Sequence, residues 1–269
     1  MRVHVIETGQ VIGKVAMLRG PENPLAALAK AIVSRDRMTF PVHSYIVEHP
    51  DGLIAIDTGL HAGAVIPRAM RWMITFGPPD PNNEVGPQMR AQGLRPEDVR
   101  WVIPTHLHID HAGGLHHFPD AEVLVHRVEY DKGPVGRRVV DVRKLWPVRF
   151  EPKIYDLDDG EFHSFPGSKS LLPGVRAVPT PGHSVGHVAL LFDTDGPTLC
   201  FAGDHFGRQD WFEQDIAAGR LAMWAFDAKT GRETSRRIAE FVRQMPTMLI
   251  PAHDPTVAAR LANREPATV

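Results

Sequence analysis

Short apolar runs alternate with polar breaks marked by glycine or proline along nearly the whole chain. Runs with strand character cover Val3 to Ile6, Ser44 to Glu48 and Leu53 to Ile56, and Pro50-Asp51-Gly52 between the last two predicts a hairpin turn. Leu25, Leu28, Ala29 and Ile32 recur at helical spacing, which predicts a helix over Pro24 to Ser34 running into a loop at Arg35 to Pro41. Further helices are expected from about Ala62 to Phe76 and from Asn83 to Gln92, the latter ended by Gly93. Trp101 to Pro104 and Glu122 to Val125 read as buried strands. Arg127 to Lys132 is too short to assign, and Pro134 to Pro152 reads as irregular.

The second half repeats the alternation, with strands expected near Phe162 to Phe165, Val175 to Val178, His187 to Asp193 and Thr198 to Phe201. An amphipathic helix over Thr230 to Met245 shows Ile238, Phe241, Val242 and Met245 on one face, and Thr247 to Ile250 is the last strand. Strand-rich patterns in both halves with helices between them argue for two mixed sheets packed together with helices outside. That is an α/β (α+β) arrangement in one domain, residues 1–269.

Composition narrows the class. A net charge of −2, from 30 basic and 32 acidic residues, gives no electrostatic reason to expect a nucleic-acid partner. No uncharged apolar run approaches the ~18 residues of a membrane span, and the N-terminus shows no secretory signal, so a reduced, cytoplasmic setting is expected. The single Cys200, flanked by Leu199 and Phe201, reads as a buried free thiol and excludes a cysteine-based zinc site. The sequence allows a homodimer.

The 15 histidines are the unusual feature. His106-Leu107-His108-Ile109-Asp110-His111 follows the apolar run Trp101 to Pro104 and precedes Gly113-Gly114. A lone histidine pair is more often surface decoration, but four ligand-type side chains within six positions at a strand end point to metal binding. The glycines are expected to let the backbone turn sharply and start a helix behind the metals. His183, Asp204 and His253 each follow an apolar run, where a sheet converges its loops. Imidazole and carboxylate ligands suit zinc, and also iron, manganese or cobalt, because no thiolate biases the choice.

Asp57-Thr58-Gly59, the His106 to His111 motif, Thr180 to His187, Gly203-Asp204 and His253 together resemble the metallo-β-lactamase superfamily over almost the whole chain. The resemblance implies an αββα sandwich holding two divalent metal ions. It assigns His106, His108 and His183 to the first ion and Asp110, His111 and His253 to the second, with Asp204 bridging and Asp57 steadying the ligand loop behind them. His187 is expected to hydrogen-bond under the His183 turn, and His116, His117, His126 and His163 read as surface or structural.

Two ions ~3.5–4 Å apart share a hydroxide that attacks a carbonyl or phosphoryl centre, and Asp110 is placed as general acid and base. Within the superfamily the chain is most similar to N-acyl homoserine lactonases, the quorum-quenching enzymes. The similarity lies in Phe40 to Tyr45, Ile56 to Gly59, His106 to Gly114, Val125 to Tyr130 and Trp224 to Asp227. It implies a small-molecule lactone or related ester as substrate. One departure stands at Gly207, where those lactonases usually carry a tyrosine that steadies the substrate carbonyl. Either His205 replaces that donor or the substrate differs.

Walls for an acyl chain are sought in Leu25 to Val33, Met38 to Phe40 and Trp72 to Phe76, with core packing the preferred reading of the first. Phe206 and Trp211-Phe212, in what reads as a polar loop, are the better candidates. Alternatives are a glyoxalase-II-like thioesterase, disfavoured by the short, weakly basic tail, and phosphotriester hydrolysis. Histidine at 108, where di-iron oxidoreductases of the superfamily usually have glutamate, counts against redox chemistry. A nuclease would want a basic groove, and a complete ligand set argues against a merely binding protein.

Overall fold

The turn predicted at Pro50 is a two-residue hairpin loop: His49 pairs with Gly52, whose φ of +136° suits glycine. The computed structural model describes residues 1–18, 24–64, 66, 68–78, 80–133, 151–218 and 227–268. Two compact units divide the chain, Met1–Ile12 with Thr39–Tyr155 and Gly13–Met38 with Asp156–Val269.

The first unit is built on a mixed sheet of seven strands. These are β1 (Arg2–Lys14), β2 (Arg37–His49), β3 (Gly52–Ile56), β4 (Ile74–Phe76), β5 (Val99–Ile103), β6 (Glu122–His126) and β7 (Lys153–Tyr155), in the order β4-β1-β2-β3-β5-β6-β7. Strands β3, β5, β6 and β7 run parallel, so the segments leaving their C-terminal ends emerge at one edge. Asp57 leaves β3 there, and the His106 to His111 segment leaves β5. Ile46, Ala55, Val102 and Val123 pack with Val85, Met89, Leu107, Leu115 and Phe118 into one core cluster, which anchors the ligand loop through Leu107.

The second unit carries the mixed sheet β12-β11-β10-β9-β8, made of β8 (Lys169–Leu172), β9 (Val175–Pro179), β10 (Val188–Phe192), β11 (Thr198–Gly203) and β12 (Thr247–Pro251). Helices are numbered along the chain. To this unit belong α1 (Val15–Leu18), α2 (Pro24–Val33), α6 (Gln209–Ala217), α7 (Ala228–Gln244) and α8 (Val257–Asn263); α3 (Val85–Ala91), α4 (Ile109–Ala112) and α5 (Arg127–Lys132) belong to the first. Asp227 caps α7, its carboxylate accepting from the amides of Lys229 and Thr230. The buried stripe of α7 includes Ile238, Phe241 and Val242, as its periodicity predicts.

Several expectations are corrected. Ala62 to Phe76 is not a helix: its described residues form loops, a 3₁₀ turn at Arg68–Met70 and strand β4. Its apolar spacing is helical, but Pro67 lacks the amide proton a helix interior needs. Strand β2 starts at Arg37 and takes in most of the expected loop, and Phe162 and Phe165 form only an isolated bridge. The supposed polar loop around Trp211 is helix α6, and α8 gave no periodic signal over its seven residues. Residues 134–150 lie outside the described residues, as do 224–226 of the Trp224 to Asp227 stretch.

Candidate metal centre

In the first unit, Asp57 organises the ligand loop. It sits at the end of β3 with φ +53°, a backbone conformation that costs a non-glycine residue energy and is retained where surrounding contacts hold it. Its Oδ1 accepts from the Thr105 amide at 2.7 Å, and the Thr105 hydroxyl lies 3.1 Å from both carboxylate oxygens. Oδ2 stands 2.8 Å from His111 Nδ1, and Thr105 Oγ1 is 3.1 Å from His106 Nδ1.

These partners fix the tautomers. A carboxylate only accepts, so His111 carries its proton on Nδ1. The Thr105 hydroxyl donates to Asp57 and therefore accepts from His106 Nδ1. In the neutral form of both rings Nε2 is then the free nitrogen, the one a metal-binding imidazole needs. His106 Nε2 lies 2.8 Å from His108 Nδ1, and the His106 and His111 ring centroids are 4.0 Å apart. Asp110 Oδ2 is 3.9 Å from His111 Nε2, with its side chain 14% exposed. The buried Glu129 accepts from the Leu107 amide at 3.0 Å and pins the middle of the loop.

Gly113 and Gly114 serve another purpose than the expected sharp turn. Gly113 has ordinary right-handed helical angles and ends α4 rather than starting a helix. A Cβ there would come within 2.8 Å of three backbone atoms, Ile109 O, His61 N and Gly59 O. One on Gly114 would meet Thr58 O at 2.3 Å. The glycines permit close approach of two backbones.

In the second unit, Asp204 stands between two histidines. Its Oδ2 is 3.3 Å from His183 Nε2 and its Oδ1 is 3.0 Å from His253 Nε2. The register shifts between Phe201 and Gly203, where β11 pairs β12, and Gly203 takes φ +51°; this irregularity aims the next side chain. His187 holds Asp204 from behind. Its Nε2 accepts the Asp204 amide at 3.2 Å, so its Nδ1 carries the proton and donates to Thr180 Oγ1 at 2.8 Å. Gly182, at φ +140°, lets the His183 turn lie against Gly231 of α7, whose Cα a Cβ would meet at 2.6 Å.

The expected pocket residues fare differently. Phe206 and Phe212 are fully buried in the core of the second unit, their ring centroids 4.4 Å apart. Trp211 is buried beneath the Arg208 guanidinium. His205 Nε2 is 2.8 Å from Ser235 Oγ on α7, while its Nδ1 has no hydrogen-bond partner among the described residues. Burial first, then the His183 charge, pushes the His205 pKa down to about 3, so the ring is neutral. Ile32 and Val33, expected in the core, are 63% and 80% exposed, and Trp72 is 40% exposed.

Sequence reasoning missed the support of His253. Asp254 accepts from the Thr256 amide and hydroxyl, from the Gln209 amide and from Arg260 Nη2 at 2.7 Å. An acidic residue next to the candidate ligand His253 is the only local signal. Thr105 and Glu129 gave none, because their partners lie tens of residues away.

The family model of the metallo-beta-lactamase superfamily matches residues 37–253. An N-acyl homoserine lactonase of a Bacillus species is 26% identical over 230 residues, covering 81% of this chain and 82% of its own. A probable metallo-hydrolase of Mycobacterium tuberculosis is 27% identical over 268 residues, covering 92% and 86%. Among solved structures, an N-acyl homoserine lactone hydrolase with N-hexanoyl-L-homoserine bound at its catalytic metal center superposes with a TM-score of 0.75. The two are 22% identical, over 96% of this chain and 94% of that one. A dizinc quorum-quenching lactonase superposes with a TM-score of 0.67 at 14% identity, over 94% and 87%. At these identities the structural matches show the fold.

Proposed function

Because the chain belongs to the metallo-β-lactamase superfamily, a hydrolase fold, we propose that it is a dinuclear metal-dependent hydrolase that opens lactone rings, of N-acyl homoserine lactones or related esters. The observation that carries this reading is Asp204, whose two carboxylate oxygens each face a different imidazole. That is what a carboxylate shared by two cations requires. We assign His106, His108 and His183 to one ion and Asp110, His111 and His253 to the other, with Asp204 common to both. The family match at 37–253 runs through both compact units, which supports reading residues 1–269 as one functional domain. The donor set, imidazoles and carboxylates without thiolate, fits zinc first, and iron, manganese or cobalt as well.

Such a pair of ions supplies a water of lowered pKa and a Lewis acid for the substrate carbonyl. The chain does the rest. Asp57 and Thr105 hold the His106 and His111 tautomers, and His187 holds the Asp204 backbone. Asp110, partly open to solvent, takes the proton of the attacking water on its carboxylate. As the water oxygen joins the carbonyl carbon and the ring C–O bond breaks, that proton passes to the leaving alkoxide. The product is a hydroxy acid. With glycine at 207, the His205 Nδ1 is the candidate donor to the substrate carbonyl. The lactonase relatives support a small-molecule substrate. No helix among the described residues is long and apolar enough to cross a membrane, and we place the enzyme in the cytoplasm.

A panel of acyl homoserine lactones, simple γ- and δ-lactones, S-lactoylglutathione and paraoxon on metal-loaded protein tests the substrate class. The lactones are expected to show kcat/KM at least ~10-fold above the others. Faster thioester turnover would reject the lactonase reading.

Asp57→Asn tests the tautomer argument. The amide keeps the shape but turns an N–H₂ either toward the His111 Nδ1–H or toward the Thr105 amide, a donor against a donor in both cases. Metal affinity is expected to fall ~10–100-fold, read by competition with a chromogenic chelator. An unchanged affinity would show that Asp57 only shapes its turn.

A further inference from the structure

The first unit gathers another set of ligand-type side chains around Glu84, none of them among the residues assigned above. Glu84, just before α3, is buried, and its Oε2 lies 2.9 Å from His116 Nε2 and 2.7 Å from His117 Nε2. Its Oε1 accepts the Ala62 amide at 2.7 Å. His61 stands at the same place, its ring edge-on to His116 with centroids 5.1 Å apart. The Gly63 amide donates to His61 Nδ1 at 2.8 Å, which makes Nε2 the protonated nitrogen, or the metal-facing one once that proton is displaced.

One ligand atom from each of His61, Glu84 and His116 lies within 4.8 Å of the others. Tetrahedral zinc with bonds of about 2.0–2.1 Å has ligand edges of about 3.3 Å. The His116–Glu84 spacing is shorter than that edge and the whole set lies within 4.8 Å, so the side chains must shift toward a common centre to hold an ion.

The surroundings suit a cation. Burial tends to raise the Glu84 pKa, but the Ala62 amide, the His117 hydrogen bond and the charges of His116 and His61 outweigh it and hold the carboxyl below its usual range. Burial, then the charge of His117, lowers the His116 pKa, which favours the neutral, ligating ring. Gly86 makes room for His117 beneath Glu84: a Cβ there would lie 2.4 Å from His117 Nδ1. His61 and Glu84 also line a small cleft of about 30 Å³, open to solvent and shared with Thr8, Leu60, Phe76 and Asp80, which gives an ion access.

We propose that His61, Glu84 and His116 form an additional site for a divalent cation of the zinc class, with His117 hydrogen-bonded to the carboxylate and water completing the coordination. Three protein ligands with an open position is a familiar zinc arrangement. The ion would tie the loop after β3, the start of α3 and the turn after Gly114 to one point.

The test is zinc content. Protein stripped with chelator, reloaded with ZnCl₂ and desalted is assayed by elemental analysis as wild type, His61→Ala, His116→Ala and a His163→Ala control. The two site variants are expected to hold one zinc fewer per chain than the wild type, and the control the same number. Because the readout is a difference, it stands whatever the occupancy of the proposed catalytic pair. Equal zinc in wild type and both site variants overturns the proposal. Should the variants fail to fold by circular dichroism, anomalous diffraction at the zinc edge from zinc-loaded wild-type crystals decides. A peak within bonding distance of His61, Glu84 and His116 supports the site, and no peak there overturns it.

Discussion

Replacing Asp204 by alanine is expected to remove at least one metal ion per chain and to lower kcat/KM for a lactone on the order of 10³-fold. Loss of a residue that only orients a ligand costs 10–100-fold, and a carboxylate shared by two ions affects both. The variant should still fold. The carboxylate faces the His183 and His253 imidazoles, whereas Asp204 is held to the rest of its unit through its backbone amide on His187, which alanine keeps. Circular dichroism separates loss of metal from loss of structure. Full metal content with undiminished turnover would show that the carboxylate is not shared.

Arg260→Ala should be the most damaging change to stability, on the order of 3–5 kcal/mol, because it strands a buried carboxylate. Arg260 donates to Asp254 Oδ2 at 2.7 Å, to the Leu249 carbonyl at 2.9 Å and to Gln209 Oε1, while Asp254 is fully buried. Burial tends to raise the Asp254 pKa, but the Thr256 donors, the Arg260 charge and the Gln209 amide hold it below its usual value. A carboxylate depressed in the folded state contributes stability above its unfolded pKa near 4, and loses it as pH falls through the folded value. Without Arg260 that depression shrinks, so the gap in urea midpoint between wild type and variant should be widest at neutral pH and narrow below about pH 4. Lysine at 260 should recover only part of the loss, since it cannot reproduce the fork of donors. A gap that does not change with pH would remove the ion pair from the account. His253 precedes Asp254 directly, so the same variant should also weaken metal binding.

The hairpin at Pro50, the parallel strands and α7 were legible because each has a local signature: a turn residue, an apolar run or a 3.6-residue stripe. Ala62 to Phe76 has the apolar spacing of a helix, but its sequence carries Pro67, and its described residues form loops, a 3₁₀ turn and a strand. Helices α6 and α8 were missed because nine and seven residues carry little periodicity. The proposed ligands could be found in the sequence because each follows an apolar strand. Asp57 and His187 came with the resemblance, but most of the partners that steady the site did not: Thr105 to Asp57, Leu107 to Glu129 and Arg260 to Gln209 join positions 48, 22 and 51 residues apart. The Glu84 cluster was hidden likewise. His116 and His117 read as ordinary histidines until the fold brought them to one carboxylate.

The central claim is one pair of metal ions sharing Asp204. It is tested most directly by loading chelator-stripped protein with Co²⁺ and recording electron paramagnetic resonance, in the His61→Ala background so that an ion at Glu84 does not contribute. The account predicts that two Co²⁺ per chain are magnetically coupled, and that the coupling disappears in Asp204→Ala. Two Co²⁺ per chain giving uncoupled high-spin signals of additive intensity would contradict it.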